Sequence, residues 1–259
     1  MSAIVVFDID GVIRDVGSSY RRALADTVAE FTSGAYRPAA IEIDTLKGEG
    51  SWNNDWEASQ ELIYRYFERQ GQARSELGLD YDRIVAYFQT KYRGTDPVNW
   101  NGYICDEPIL ASLEYFASLT AASMPWGFFS GATRGSAGYI LERRLGLNSP
   151  VLVAMEDAPG KPDPTGLFMA VAQLEQQHDR IDQFPIIYVG DTVADMYTIV
   201  NARKVQVERD LIAVGVLPPH ILAEESLVEE YREGLIRSGA TIVINSVQKL
   251  TPELINSFK

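Results

Sequence analysis

Strand-length apolar runs alternate with helical stretches from about residue 105 to the end of this 259-residue sequence. The runs are PWGFFS (125–130), PVLVAM (150–155), FPIIYVG (184–190), LIAVGV (211–216) and TIVIN (241–245), all rich in branched or aromatic residues. Helical patterns fill the intervals. EPILASLEYFASL carries Pro108 near its expected first turn, and GSAGYILERRLG is closed by Gly146. Antiparallel hairpins need only short turns, whereas strands separated by helices are joined by crossovers and lie parallel. The pattern therefore predicts an α/β fold with a doubly wound parallel sheet. The apolar run at 3–8 belongs to the same sheet.

Residues 16–104 break the rhythm. SSYRRALADTVAEF has serine caps and amphipathic spacing, and NNDWEASQELIYRYFERQG starts on asparagines and stops at Gly71. DYDRIVAYFQTKYRG spaces Ile84, Phe88 and Tyr92 four apart and ends at Gly94. An all-helical domain at 16–104 is thus expected, inserted into a core made of 1–15 and 105–259.

Composition narrows the chemistry. The net charge of -13 argues against nucleic acid or an anionic membrane as partner, because both reward clustered Lys and Arg. No apolar stretch approaches the ~20 residues of a membrane span, and no basic signal-peptide start is present, so a cytoplasmic location is expected. Cys105 is the only cysteine, and the two histidines, His178 and His220, sit in polar surroundings without a nucleophile motif beside them. Acid–base work would fall to carboxylates and lysines.

The first strand runs into DIDG, with Asp8 and Asp10 expected on one face of its carboxyl end. Two carboxylates ~4 Å apart repel by ~4 kcal/mol at an effective dielectric of about 20. Gly11 lets the chain turn sharply after them; Asp-Gly is also an ordinary turn signal. GFFSGATRG ends a strand on Ser130, with Gly131 and Thr133 at a helix entrance, where a hydroxyl and free N–H groups suit a phosphate oxygen or simply cap the helix. PGKPDP puts Lys161 between Gly160 and Pro162, on a proline-stiffened loop before a helix. YVGDTVADM puts Asp191 at a strand end and Asp195 four residues on, an arrangement that also favours a helix N-terminus. Convergence of Asp8, Asp10, Asp191 and Asp195 would call for a hard divalent cation with oxygen ligands, for which Mg²⁺ is suited. A cluster without cysteine or histidine disfavours zinc.

These four stretches, in this order, resemble the haloacid dehalogenase superfamily, mainly its phosphohydrolases. DIDG at 8–11 is similar to the family's DxDG, Ser130 to its strand-end hydroxyl, Lys161 to its KP lysine, and GDTVAD at 190–195 to its GDxxxD. The resemblance implies a Rossmann-like core with residues 16–104 as a type C1 cap. It implies that Asp8 is a nucleophile forming an aspartyl-phosphate, and that Asp10 is the acid and then the base. Mg²⁺ would be held by Asp8, the Asp10 carbonyl, Asp191 and Asp195, and the phosphoryl oxygens by Ser130, Gly131 and Lys161. The family's dehalogenases lack the second aspartate, so Asp10 points away from haloacid chemistry. The expected substrate is a small phosphorylated metabolite, a sugar phosphate or bisphosphate. A phosphomutase shares all four motifs, and a non-catalytic binding protein on the same fold is the third alternative.

The sequence departs from the family pattern at Val12-Ile13, where Thr-Leu is usual, and at GATRG after Ser130. Arg14 and Arg134 are candidates for an anionic ligand, Arg14 alternatively for a salt bridge at the domain hinge. LKGEGSWNNDW (46–56) reads as a loop between helices, with Lys47, Asn53, Asn54 and Asp55 as candidate substrate contacts. The plainer account of the asparagines is that one caps the next helix.

Overall fold

The computed structural model describes residues 3–49, 52, 54–178 and 181–258. These divide into two compact units: Val16–Glu107, and the residues up to Asp15 together with those from Pro108 onward. No helix among the described residues is long and apolar enough to cross a membrane.

The larger unit is built on a parallel sheet of β1 (Ile4–Phe7), β2 (Trp126–Phe129), β3 (Leu152–Val153), β4 (Ile186–Gly190), β5 (Leu211–Val216) and β6 (Ile242–Ile244). Its spatial order is β3-β2-β1-β4-β5-β6. The chain moves outward from β1 to β3, then returns to the other side of β1 and moves outward again. β1 and β4 therefore flank the point where the winding reverses, and ligands in such sheets bind beyond the carboxyl ends there. Register sharpens this placement. Phe7 lies opposite Val189, and the Asp8 N–H donates to Val189 O at 2.8 Å. One sheet face packs Ile4, Val6, Tyr188 and Ala213 with Leu167 and Leu174 of a helix over Thr165–Gln177 and with Met196 and Ile199 of another over Val193–Val205. Elsewhere Phe7, Phe116 and Phe128 form an edge-and-tilt cluster with Tyr115.

Two local expectations change. The helix after the insert covers Leu113–Ala121 and is capped by Ser112, whose hydroxyl accepts from the Tyr115 N–H, so Pro108 lies outside it. The backbone around Pro108 is committed elsewhere: Asp15 N–H donates to Pro108 O and Leu110 N–H to Ile13 O. The segments leaving and re-entering the core are thereby laced together, which puts the division at 15 and 108.

In the smaller unit, helices over Tyr20–Phe31, Asp55–Arg69 and Tyr81–Tyr92 bury the 84/88/92 stripe, and Tyr20 stacks on Tyr92 at 4.2 Å. A further short helix, Ala40–Gly48, takes the start of the expected 46–56 loop. Its entrance is closed by the Ala39 N–H donating to the Glu42 carboxylate, a cap from inside the helix that the sequence pattern hid.

Candidate active site

Four elements deliver charge to one spot. Asp8 follows β1, Asp191 follows β4, and Asp195 sits in the first turn of the Val193–Val205 helix. All three are buried, with one carboxylate oxygen of each within 4.8 Å of the others. Lys161 comes from the loop after β3, and its Nζ lies 2.7 Å from Asp8 Oδ1 and 2.7 Å from Asp195 Oδ1. The lysine head also stands 5.6 Å from the ring centres of Phe129 and Tyr188, whose π-faces favour a cation.

Each carboxylate has a different environment. Asp195 Oδ2 accepts from the Thr192 N–H at 2.9 Å and the Thr192 hydroxyl at 2.6 Å, while its Oδ1 accepts from the Tyr188 hydroxyl at 3.1 Å. Burial pushes its acidity down the scale, but Lys161 and the Thr192 donors outweigh this and keep its pKa below the usual carboxylate value. Among the described residues Asp8 has no threonine or tyrosine donor of this kind. Burial, with Asp195 and Asp10 nearby, raises its pKa to about 7 against the opposing pull of Lys161. Asp191 is likewise raised well above the ordinary value, first by burial and then by Asp195 and Asp8. Burial opposes the charge on Lys161, but Asp195 and Asp8 hold its pKa well above that of a free lysine.

Three buried carboxylates thus face one ammonium. Asp8 Oδ1 has no hydrogen-bond donor in good geometry among the described residues, so only the lysine's charge answers it. An all-oxygen, under-neutralised set of this kind fits a hard divalent ion such as Mg²⁺.

Glycines make the close approach possible. Gly11 has φ +74°, and a Cβ there would lie 2.0 Å from Asp191 Oδ2. At Gly190 a Cβ would lie 2.2 Å from the Asp195 Cβ.

The other sequence candidates are placed differently. Asp10 is not on the strand face with Asp8, because β1 ends at Phe7 and the chain turns, with Ile9 O accepting from the N–H groups of Val12, Ile13 and Arg14. Its Oδ1 instead accepts from Arg14 Nε at 2.6 Å. Arg14 is fully buried, so the expectation of a ligand-facing guanidinium gives way to the salt-bridge alternative. Ser130 is buried at the carboxyl end of β2, beside β1, and its Oγ accepts from the Ala132 N–H at 3.1 Å. Next to it Gly131 has open space where a side chain would start. Arg134 is largely exposed and ion-paired with Asp157, a partner 23 residues away. In the smaller unit Lys47, a candidate substrate contact, pairs with Asp55 at 2.7 Å. Asn54 caps the Asp55–Arg69 helix by accepting from the Trp56 N–H at 2.9 Å. Asn53 lies outside the described residues.

Three supports escaped the sequence reading: Tyr188, Thr192, and Tyr231, whose hydroxyl donates to Asp191 O at 2.9 Å. Tyr188 carried a usable signal, since a tyrosine inside a fully buried strand must find a partner for its hydroxyl. Tyr231 carried none, because it reaches the site from a distant helix.

A family model for haloacid dehalogenase-like hydrolases matches residues 3–203. An imidazoleglycerol-phosphate dehydratase from Phytophthora nicotianae is 27% identical over 227 residues, which are 86% of this chain but 45% of that protein. The chain therefore spans about half the length of that relative. Among solved structures, a phosphonoacetaldehyde hydrolase-like protein from Oleispira antarctica superposes with a TM-score of 0.68 at 19% identity, over 98% of this chain and 91% of that one. Phosphatase Tt82 from Thermococcus thioreducens superposes with a TM-score of 0.61 at 22% identity, over 82% and 92%. At those identities the two structures speak for the fold. With a family match over most of its length, a doubly wound parallel sheet and acids gathered at its reversal point, the chain belongs to the haloacid dehalogenase-like hydrolases.

Proposed function

We propose that the protein is a Mg²⁺-dependent phosphatase that hydrolyses a small phosphorylated metabolite through an aspartyl-phosphate on Asp8. The observation that carries this reading is the lysine-bridged cluster: Lys161 Nζ is 2.7 Å from both Asp8 and Asp195, with Asp191 beside them. A phosphoryl group brings negative oxygens that need such an ammonium, and catalysis of its transfer rests on positioning and charge neutralisation.

Asp8 Oδ would form a bond to phosphorus as the P–O bond to the leaving group breaks, and the departing ester oxygen would take a proton from Asp10. Asp10 would then remove a proton from water, whose oxygen attacks phosphorus and frees the Asp8 carboxylate. Lys161 would bind a phosphoryl oxygen and hold Asp8 in place. The Ser130 hydroxyl and the N–H of Gly131 are suited to the remaining oxygens. Asp8, Asp191, Asp195 and the Asp10 carbonyl would hold Mg²⁺, which when bound supplies charge neutralisation for nucleophile and phosphate together.

Sugar phosphates remain the substrate class to try first. The Phytophthora relative adds a second: its name specifies a phosphate ester of an imidazole-bearing three-carbon polyol, so imidazole-bearing phosphomonoesters belong in the same screen. The test is release of inorganic phosphate from such a panel with Mg²⁺ and with EDTA. Turnover that EDTA abolishes, with no isomeric phosphate ester formed, supports the reading. No turnover of any phosphoester by protein shown to bind the metal would overturn it, and an isomeric product would point to a mutase.

A further inference from the structure

We propose that Arg14 is a positioning residue that acts through Asp10: it fixes the direction of the Asp10 carboxylate and so governs proton delivery to the leaving group. This rests on the phosphatase reading above.

Three observations converge on it. First, Arg14 has no exposed surface and belongs to the largest fully buried side chains. A guanidinium is retained in such a place when its donors are used, because an unpaired buried charge is expensive. Its Nε donates to Asp10 Oδ1 at 2.6 Å, within the charge-assisted range.

Second, the backbone carrying Arg14 is held from both sides. Gly11 N–H donates to Arg14 O, and Arg14 N–H donates to Ile9 O, which closes the turn that includes Asp10. On the other side Arg14 bridges Ile109, between the Leu110–Ile13 and Asp15–Pro108 hydrogen bonds. Arg14 is thus the central residue of the short ladder that laces the two segments joining the units. Its side chain has a fixed base from which to hold a neighbour.

Third, among the described residues Asp10 has no comparable anchor of its own. It lies beyond the end of β1 and outside the three-carboxylate cluster, and about a third of its side chain is exposed. Free rotation of a carboxylate at a turn is the expectation, and the Arg14 contact removes it. A group that must sit within hydrogen-bond reach of a departing oxygen gains from that constraint.

The test compares wild type, Arg14→Gln, Arg14→Lys, Asp10→Asn and the Asp10→Asn/Arg14→Gln double variant on two esters. One is an alkyl phosphate, whose leaving group needs a proton. The other is an aryl phosphate with an acidic phenol, which needs little. kcat/KM reports the step through transfer to Asp8. Arg14→Gln is expected to lose roughly 10–100-fold on the alkyl ester, less than the ~10²–10⁴-fold of losing the general acid itself, and much less on the aryl ester. Arg14→Lys, which keeps the charge but not the planar fork, should fall between. In the Asp10→Asn background, Arg14→Gln should add almost nothing.

Equal losses on both esters, or losses that multiply fully in the double variant, would overturn the proposal. Crystal structures of wild type and Arg14→Lys give a second readout that does not depend on turnover. Rotated or disordered Asp10 in the variant supports the role, and an unmoved, ordered carboxylate overturns it, even if Arg14→Gln fails to fold. A wild type inactive on every phosphoester would remove the phosphatase reading, while these structures would still judge whether Arg14 fixes Asp10.

Discussion

The roles proposed for Asp8 and Asp10 fit two different surroundings. Asp8 is buried against Lys161 and the other acids, while Asp10 is half-buried and turned to Arg14. Asp8→Asn should abolish both turnover and the covalent intermediate, because a neutral amide does not attack phosphorus at a useful rate. Asp10→Asn should slow alkyl-ester turnover ~10²–10⁴-fold and leave Mg²⁺ binding largely intact. With an activated ester the Asp10→Asn protein should accumulate phosphate on Asp8, detectable by intact mass after an acid quench, since hydrolysis still lacks its base. Near-normal activity in Asp8→Asn would refute the assignment. Lys161 makes a separate prediction. Replacing it by Met leaves three buried carboxylates with no cation, and removing one member of a buried ion pair costs about 3–5 kcal/mol. In EDTA the loss of stability in urea should be larger at pH 8, where the acids must ionise, than at pH 5, where protons relieve them. A loss that does not change with pH would mean that packing, and not charge, is what Lys161 contributes.

At the scale of elements, the cluster depends on two turns that follow adjacent strands. The turn after β1 passes so close to Asp191 that Gly11 has no room for a methyl group, and its φ of +74° is one that L residues adopt at a cost of ~1–2 kcal/mol. Gly11→Ala should therefore push the Asp191 carboxylate aside. The Mg²⁺ concentration for half-maximal activity is expected to rise roughly 10–100-fold, the usual penalty for disturbing a ligand's support; an unchanged metal titration would show that Asp191 is not a ligand. This dependence also marks what the sequence could and could not convey. The six strands were legible because branched, apolar runs in a buried parallel sheet are nearly continuous, and in such a sheet carboxylates that follow β1 and β4 meet without further information. The Asp10 direction was not legible. Alternation along a strand places it beside Asp8 only if the strand continues, and the backbone of Ile9 to Arg14 closes into a turn instead. The partners of Arg134 and Lys47 were not legible for a related reason. Each is neutralised by an acid, Asp157 and Asp55, that only the folded chain brings near.

Over the whole molecule, the site stores a pH dependence that runs opposite to that of a protein held by salt bridges. A carboxylate whose folded pKa lies below its unfolded value stabilises the fold once pH exceeds the unfolded value, and Asp195 behaves in that way. Asp8 and Asp191 do the reverse. Their folded pKa values lie above the ordinary one, to about 7 for Asp8, so between about pH 4 and pH 7 the native state keeps protons that the unfolded chain has released. Stability falls with pH wherever the native state binds more protons. Without a divalent ion, the unfolding midpoint should therefore decline from pH 5 to pH 8. Each kcal/mol is worth roughly 2–4 °C for a chain of this size, so the decline should amount to several degrees. Mg²⁺ competes with the protons and relieves the same repulsion. Its stabilising effect should be small at pH 5 and should grow through pH 7, cancelling most of the decline at pH 8. Differential scanning calorimetry at fixed ionic strength, with Mg²⁺ or with EDTA, reads both curves. An Asp191→Asn variant, with one acid fewer to ionise, should show a flatter decline in EDTA and a smaller gain from Mg²⁺. Parallel curves with and without the ion across pH 5–8 would mean that the buried acids do not form its site.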